Sequence, residues 1–215
     1  MKREEIDAVL YKKKRYSTPD QFLVDVLEKR TLLKVLSRFA PYRNALDVPC
    51  GYGRNGERIK RFCKNLVGCD ISMNMISEAR KGFYNSLVIG DIKNLPFDDN
   101  SFDLVVCIRL FHHFELEEIK IALDEILRVS SSFILFSFYA PVKIHRWFRT
   151  VRGLKPNIKM FDEKEIISHL YEKAQVLCST SIIPFLHSQR FVFGKKSSSS
   201  ISNSTMKKLK KSPPL

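Results

Sequence analysis

Three aspartates, Asp47, Asp70 and Asp91, each stand at the end of a short apolar run, and two glycines, Gly51 and Gly53, follow the first of them. A carboxylate so placed can accept hydrogen bonds from a sugar diol or an amino group, or balance a cationic ligand. Glycines beside it let a ligand come close to the backbone. Asp70 lies 19 residues beyond Gly51, near the ~20 at which an acid meets ribose hydroxyls in nucleotide-binding α/β folds. A Gly-x-Gly pair alone marks only a turn before a helix. A strand, a glycine turn, a helix and then two further strands that each end in an acid make a stronger pattern, one of nucleoside recognition.

The kind of nucleoside follows from the charge at the turn. Gly-x-Gly-x-x-Gly is formally present at 51–56, as in dinucleotide sites. However, Pro49 and Cys50 precede it, and the Asp47 carboxylate sits at its mouth. Negative charge there repels a pyrophosphate but suits the ammonium of an amino acid and a sulfonium cation. S-adenosylmethionine carries both. No Gly-x-x-x-x-Gly-Lys-Ser/Thr occurs, so a P-loop is not indicated.

These residues need elements to hold them. Residues 4–40 read as helical, with Ser17, Thr18, Pro19 and Asp20 as a start signal and Pro41 as the stop. Phe22, Leu23, Val26 and Leu27, then Leu32, Leu33, Leu36 and Phe39, recur at helical spacing. A strand at 45–48 runs into the glycine turn, and a helix from Arg54 to about Cys63 follows. Further strands are expected at 66–69, 86–89, 102–108 and 133–138, with helices at 73–81 (capped by Ser72), 116–129 and 162–172. Two later β-rich runs, 175–183 and 188–193, are close enough to pair antiparallel. The expectation is a doubly wound, mostly parallel seven-stranded α/β sheet with an antiparallel C-terminal hairpin. Residues 1–40 form a helical segment, 41–194 the main domain, and 195–215 a basic Ser/Lys-rich tail without the apolar content to fold.

Read together, ALDVPCGYGR (45–54), LVGCDIS (66–72) and LVIGDIKNLPFDDNSFDLVVCIRLFHHF (87–114) resemble the motifs of class I S-adenosylmethionine-dependent methyltransferases, the type 11 group. The resemblance covers about residues 40–140, with a family-like hairpin near 174–194. The family usually has Asp-x-Gly-x-Gly-x-Gly, and here Pro49 replaces the first glycine, removing an N–H donor. By position, the resemblance implies that Asp47, Pro49, Gly51 and Gly53 cradle the methionine part. Asp70 would bind the ribose hydroxyls and Ile71 pack on the adenine. Asp91 would meet the adenine amino group, Ile92 flank the ring, and Arg109 line the pocket. Arg54 is open between a pocket role and a surface charge.

Methyl transfer asks little of side chains, because the sulfonium is already activated and the nucleophile needs alignment. A base helps where the nucleophile carries a proton. His113 or His112, just after the fourth strand, is the candidate, since histidine titrates near neutrality; either could instead only pack the loop. Tyr11 and Tyr16 could cover the cofactor or lie on a helix surface. His145, Arg146, Trp147, Phe148 and Arg149 could form an acceptor wall suited to an anionic group, or an ordinary amphipathic helix.

Of the net charge of +14, the tail from Lys195 supplies +6 and the first sixteen residues +3, leaving +5 for the body. The five cysteines show no Cys-x-x-Cys pair, which argues against a disulfide framework or a zinc site, and no metal site is expected. No run approaches the ~18 apolar residues of a membrane span, and the expected location is the cytoplasm. The expectation is therefore a methyltransferase that acts on a small-molecule, lipid-type or glycan-type acceptor. The alternatives are an RNA methyltransferase using the basic ends and a non-catalytic cofactor-binding or scaffold protein. An NAD(P)-dependent oxidoreductase is disfavoured by Asp47.

Overall fold

The computed structural model describes residues 19–79, 82–142, 158–183 and 188–197. Among them, Tyr42–Asp47 (β1), Cys63–Asp70 (β2), Ser86–Ile89 (β3), Phe102–Cys107 (β4), Ser130–Tyr139 (β5), Ala174–Ser181 (β6) and Gln189–Lys196 (β7) form one sheet. Its order is β3-β2-β1-β4-β5-β7-β6. The first five are parallel to one another, and β7 runs antiparallel to both β5 and β6. The expected doubly wound sheet with an antiparallel C-terminal pair is the one found. After β1 the chain builds β2 and β3 on one side, then returns to lay β4 on the other. The strand order therefore reverses between β1 and β4, the place where open α/β sheets bind ligands.

Five helices flank the sheet among the described residues: Pro19–Leu36 (α1), Gly56–Lys60 (α2), Met73–Ala79 (α3), Leu116–Val129 (α4) and Glu163–Leu170 (α5). The apolar residues divide into two layers. One joins Leu46, Val105, Ile134 and Phe136 of the strands to Ile119, Leu123 and Ile126 of α4 and to Ile166 and Leu170 of α5. The other joins Ala45, Leu66, Leu104 and Val106 to Leu32, Val35 and Leu36 of α1 and Ile59 of α2. Alternation along each strand sends successive side chains to opposite layers, which is why β4 reads as a continuous apolar run. Arg128, in the last turn of α4, fixes the linker before β4 by donating to the carbonyls of Leu95 and Phe97 and pairing with Asp99 and Glu125.

Several boundaries differ from the expectation. The helix after β1 is only five residues long, because Cys63 already pairs with Tyr42 as the first residue of β2. β5 begins at Ser130 and β7 runs on through Lys195 and Lys196, which pair with Phe133, Gln175 and Ala174. The buried stripe of α1 is also not the one that its apolar residues suggest. Phe22 and Leu23 are 61% and 54% exposed, whereas Asp25, Glu28, Leu32, Val35 and Leu36 are buried. The acidic pair takes the inner face because cationic partners wait there. The expected helical stretch before residue 19, residues 80–81 of the expected third helix and the tail from 198 lie outside the described residues, as do Tyr11, Tyr16 and residues 145–149.

Candidate active site

β1 ends at Asp47, held in register between Gly68 of β2 and Val106 of β4. The chain then turns sharply through residues 48–53. Gly51 and Gly53 adopt φ of +54° and +87°, a region that side chains rarely enter, and a Cβ on Gly51 would have no atom within 4 Å. The turn therefore presents bare backbone to open space at the switch point. Asp70, at the end of β2, ties it down: Oδ2 accepts from Gly51 N at 2.8 Å and Oδ1 accepts from Ser72 N at 2.9 Å. Cys50 N donates to the Cys69 carbonyl at 2.9 Å. Ile71 is left 47% exposed beside this acid, an apolar surface available to a flat ring.

At the end of β3, Asp91 Oδ1 accepts from Lys93 N at 3.0 Å, and Asp91 bridges to Asn94. The side chain of Ile92 is 5% exposed and packs in the core with Cys69 and Leu95. Asp47, Gly51, Gly53 and Asp70 are thus brought together at one turn. Asp91 closes the next strand end, and Ile92 offers mainly its backbone.

Asp47 is 1% exposed, and its Oδ2 accepts from the Tyr84 hydroxyl at 2.6 Å. Its Oδ1 has no hydrogen-bond partner among the described residues. Burial pushes the carboxyl up to about 7, Tyr84 opposes that shift, and the like charge of Asp70 adds to it. A buried carboxylate oxygen without a donor is costly, and a cation delivered by a ligand would relieve it. The fit to an ammonium or sulfonium rests on this oxygen and on the open face of Gly51.

Beyond β4, Arg109 takes φ of +62°, and its N–H donates to Ser137 Oγ at 2.9 Å. Its guanidinium turns to α1, where Nε meets Glu28 Oε2 at 2.7 Å and Nη2 also reaches that carboxylate. Arg54, after the glycine turn, pairs with Glu28 at 3.0 Å and Asp25 at 2.5 Å. Arg54 is therefore a largely buried ion-pair partner rather than a surface charge. Burial alone would raise Glu28, but Arg109 and Arg54 overcome it and hold the carboxyl down at about 2. One acid of α1 thus joins the loops after β1 and β4, on either side of the switch point.

Phe111–His113 is a single 3₁₀ turn pinned by Phe111 and Phe114, both buried in the core. It leaves His112 half-buried and His113 exposed. Their rings lie tilted at 40° to each other with centroids 3.9 Å apart, and His112 meets Tyr139 edge-on at 5.4 Å. The five cysteines are all free thiols, and burial pushes Cys69 up to about 12, so it is not a ready nucleophile. Sequence reasoning missed Tyr84, Asp25, Glu28 and Ser137. The acids had a signal, since 25, 28, 32 and 35 continue one helical stripe. Tyr84 had none.

Residues 46–132 match the family described as "Methyltransferase domain". A putative methyltransferase of Encephalitozoon cuniculi is 30% identical over 112 residues, covering 50% of this chain and 51% of its own length. The tRNA (carboxymethyluridine(34)-5-O)-methyltransferase of Xenopus tropicalis is 36% identical over 84 residues, covering 39% of this chain and 13% of its own. The chain thus spans about half or less of the length of these curated relatives. Among solved structures, the magnesium protoporphyrin IX methyltransferase of Synechocystis with bound S-adenosylhomocysteine superposes with a TM-score of 0.72 at 16% identity, over 89% of this chain and 96% of that one. An N-methyltransferase of Bradyrhizobium japonicum superposes with a TM-score of 0.63 at 15% identity, over 81% and 97%. Over the glycine turn and the next three strands, residues 46–132 are thus similar to a methyltransferase domain, and the sheet has the fold of the solved methyltransferases it superposes on.

Proposed function

We propose that the chain transfers a methyl group from S-adenosylmethionine to a small-molecule, lipid-type or glycan-type acceptor by in-line displacement. The observation that carries the donor half is the Asp70 carboxylate bound to the bare Gly51 backbone, beside a buried Asp47 oxygen that has no donor among the described residues. When bound, the donor supplies an activated methyl group on a sulfonium. The residues of this chain hold and orient it: Asp70 for the ribose hydroxyls, Ile71 against the adenine, Asp91 and the backbone of Ile92 at its edge, and the 48–53 turn with Pro49 at the methionine end. Arg109 contributes through Glu28, by fixing the loop after β4. His113, exposed on the Phe111–His113 turn, or its neighbour His112 would take a proton from an acceptor that carries one.

A second reading is an RNA acceptor. One observation favours it: Arg30, Lys34, Arg38, Arg43 and Lys64 are all exposed, and exposed cations attract phosphates. The tRNA methyltransferase relative points the same way. Incubation with radiolabelled donor, fractionated extract and tRNA transcripts separates the two, since label enters either metabolites and lipid or RNA. For the donor site, Asp70→Ala is expected to lose S-adenosylhomocysteine binding by at least about tenfold in calorimetry, through its charged hydrogen bonds. Unchanged affinity would remove Asp70 from the site.

A further inference from the structure

Tyr84 lies in the loop between α3 and β3, and its ring occupies a slot that glycines make possible. A Cβ on Gly56 would stand 2.9 Å from the ring's Cε2, and one on Gly68 would stand 2.8 Å from its Cδ1. A Cβ on Gly53 would stand 3.3 Å from Cε2 and 3.4 Å from the Ala79 backbone. Two of these glycines follow β1 and the third lies in β2, so separate segments give way to the same ring. From that slot the hydroxyl donates to Asp47 Oδ2 at 2.6 Å. Among the described residues, the other titratable groups in electrostatic reach of Asp47 are the Asp70 carboxyl and the thiols of Cys50, Cys63 and Cys107. None of these is a cation. The ionised form of Asp47 is therefore supported from within the protein by Tyr84, and the other oxygen, Oδ1, is left without a partner among the described residues.

We propose that Tyr84 is a positioning residue for the methyl donor, anchoring Asp47 through Oδ2 so that Oδ1 is kept for the ammonium at the methionine end. This rests on the donor-site reading above. Removing the hydroxyl leaves both Asp47 oxygens without donors, which favours the protonated acid and withdraws the charge that a cation needs. The effect reaches the donor only through Asp47, so it depends on pH and on the ligand's ammonium. A role confined to packing depends on neither.

The test is calorimetry of S-adenosylhomocysteine and its des-amino analogue against the full chain and Y84F, between pH 5.5 and 8.5. The native chain should bind S-adenosylhomocysteine more tightly as pH rises toward about 7 and level off above it. In Y84F that rise should move to higher pH, with affinity at pH 7 reduced about tenfold, the scale of one charged hydrogen bond. The native preference for S-adenosylhomocysteine over the des-amino analogue should shrink by a similar factor. Equal weakening toward both ligands, with the pH profile unmoved, would make Tyr84 a packing residue and overturn the proposal. Should Y84F fail to fold, Asp47→Asn keeps an acceptor for Tyr84 while removing the charge, and must itself flatten the profile. A native chain that binds neither ligand overturns the donor-site reading instead, and the inference with it.

Discussion

Asp47 and Glu28 are both buried acids, yet their surroundings drive them in opposite directions. Asp47, lifted from 3.8 to about 7, holds a proton in the folded protein that the unfolded chain releases. The unliganded protein should therefore lose stability as pH rises from about 4 to about 7, and Asp47→Asn should flatten that slope in thermal unfolding followed across the range. An unchanged slope would mean that the Asp47 carboxyl is not enclosed in solution. Glu28, held down from 4.5 to about 2, works the other way. Its contribution is complete above about 4.5 and is lost as pH falls toward 2. The histidines bear on catalysis rather than stability. If His113 removes a proton from the acceptor, His113→Ala should lower kcat about a hundredfold, in the usual range of general-base contributions, with S-adenosylhomocysteine affinity unchanged. Loss of donor affinity instead would make it a pocket residue. The resemblance made Asp47, Gly51 and Asp70 legible one by one. Tyr84 was not, since a tyrosine among Gly82, Phe83 and Asn85 carries no pattern until the chain folds over it.

At the level of elements, α1 is the instructive case. Its apolar residues at 22, 23, 26 and 27 suggest one inner face, but the helix packs with Asp25 and Glu28 inward and Phe22 and Leu23 outward. Periodicity locates a stripe by hydrophobicity and cannot know that Arg54 and Arg109 will meet the helix from two distant loops. Removing the Glu28 charge leaves two largely buried guanidiniums with reduced compensation. Glu28→Gln should therefore destabilise the protein by about 3 kcal/mol, the scale for breaking a buried ion pair, measured by urea unfolding. A loss below about 1 kcal/mol, the worth of an exposed pair, would mean that the cluster is hydrated. The helix after β1 taught the opposite lesson. Its polar sequence reads as helical to residue 63, but strand pairing of Cys63 with Tyr42 competes and wins.

For the whole molecule, the donor would complete a site formed by the ends of β1, β2, β3 and β4, so binding should stabilise the fold as one unit. At a concentration one hundred times Kd, S-adenosylhomocysteine is expected to add about 2.7 kcal/mol, visible as a rise of several degrees in the unfolding midpoint. No rise at saturating ligand would contradict a preformed pocket. Among the described residues, no helix is long and apolar enough to cross a membrane. The sequence by itself determined the alternation of strands and helices, hence the doubly wound sheet, because apolar periodicity and the right-handed crossover leave few other packings. It also pointed to the donor class proposed above, because Asp47, Gly51, Gly53 and Asp70 lie within one short stretch of sequence. Only the tertiary structure decided that Tyr84 holds Asp47, that Arg109 turns to Glu28, and that α1 joins the loops on either side of the switch point. Each of these contacts joins residues from separate elements. Their energies depend on burial and charge pairing that no local stretch of sequence contains.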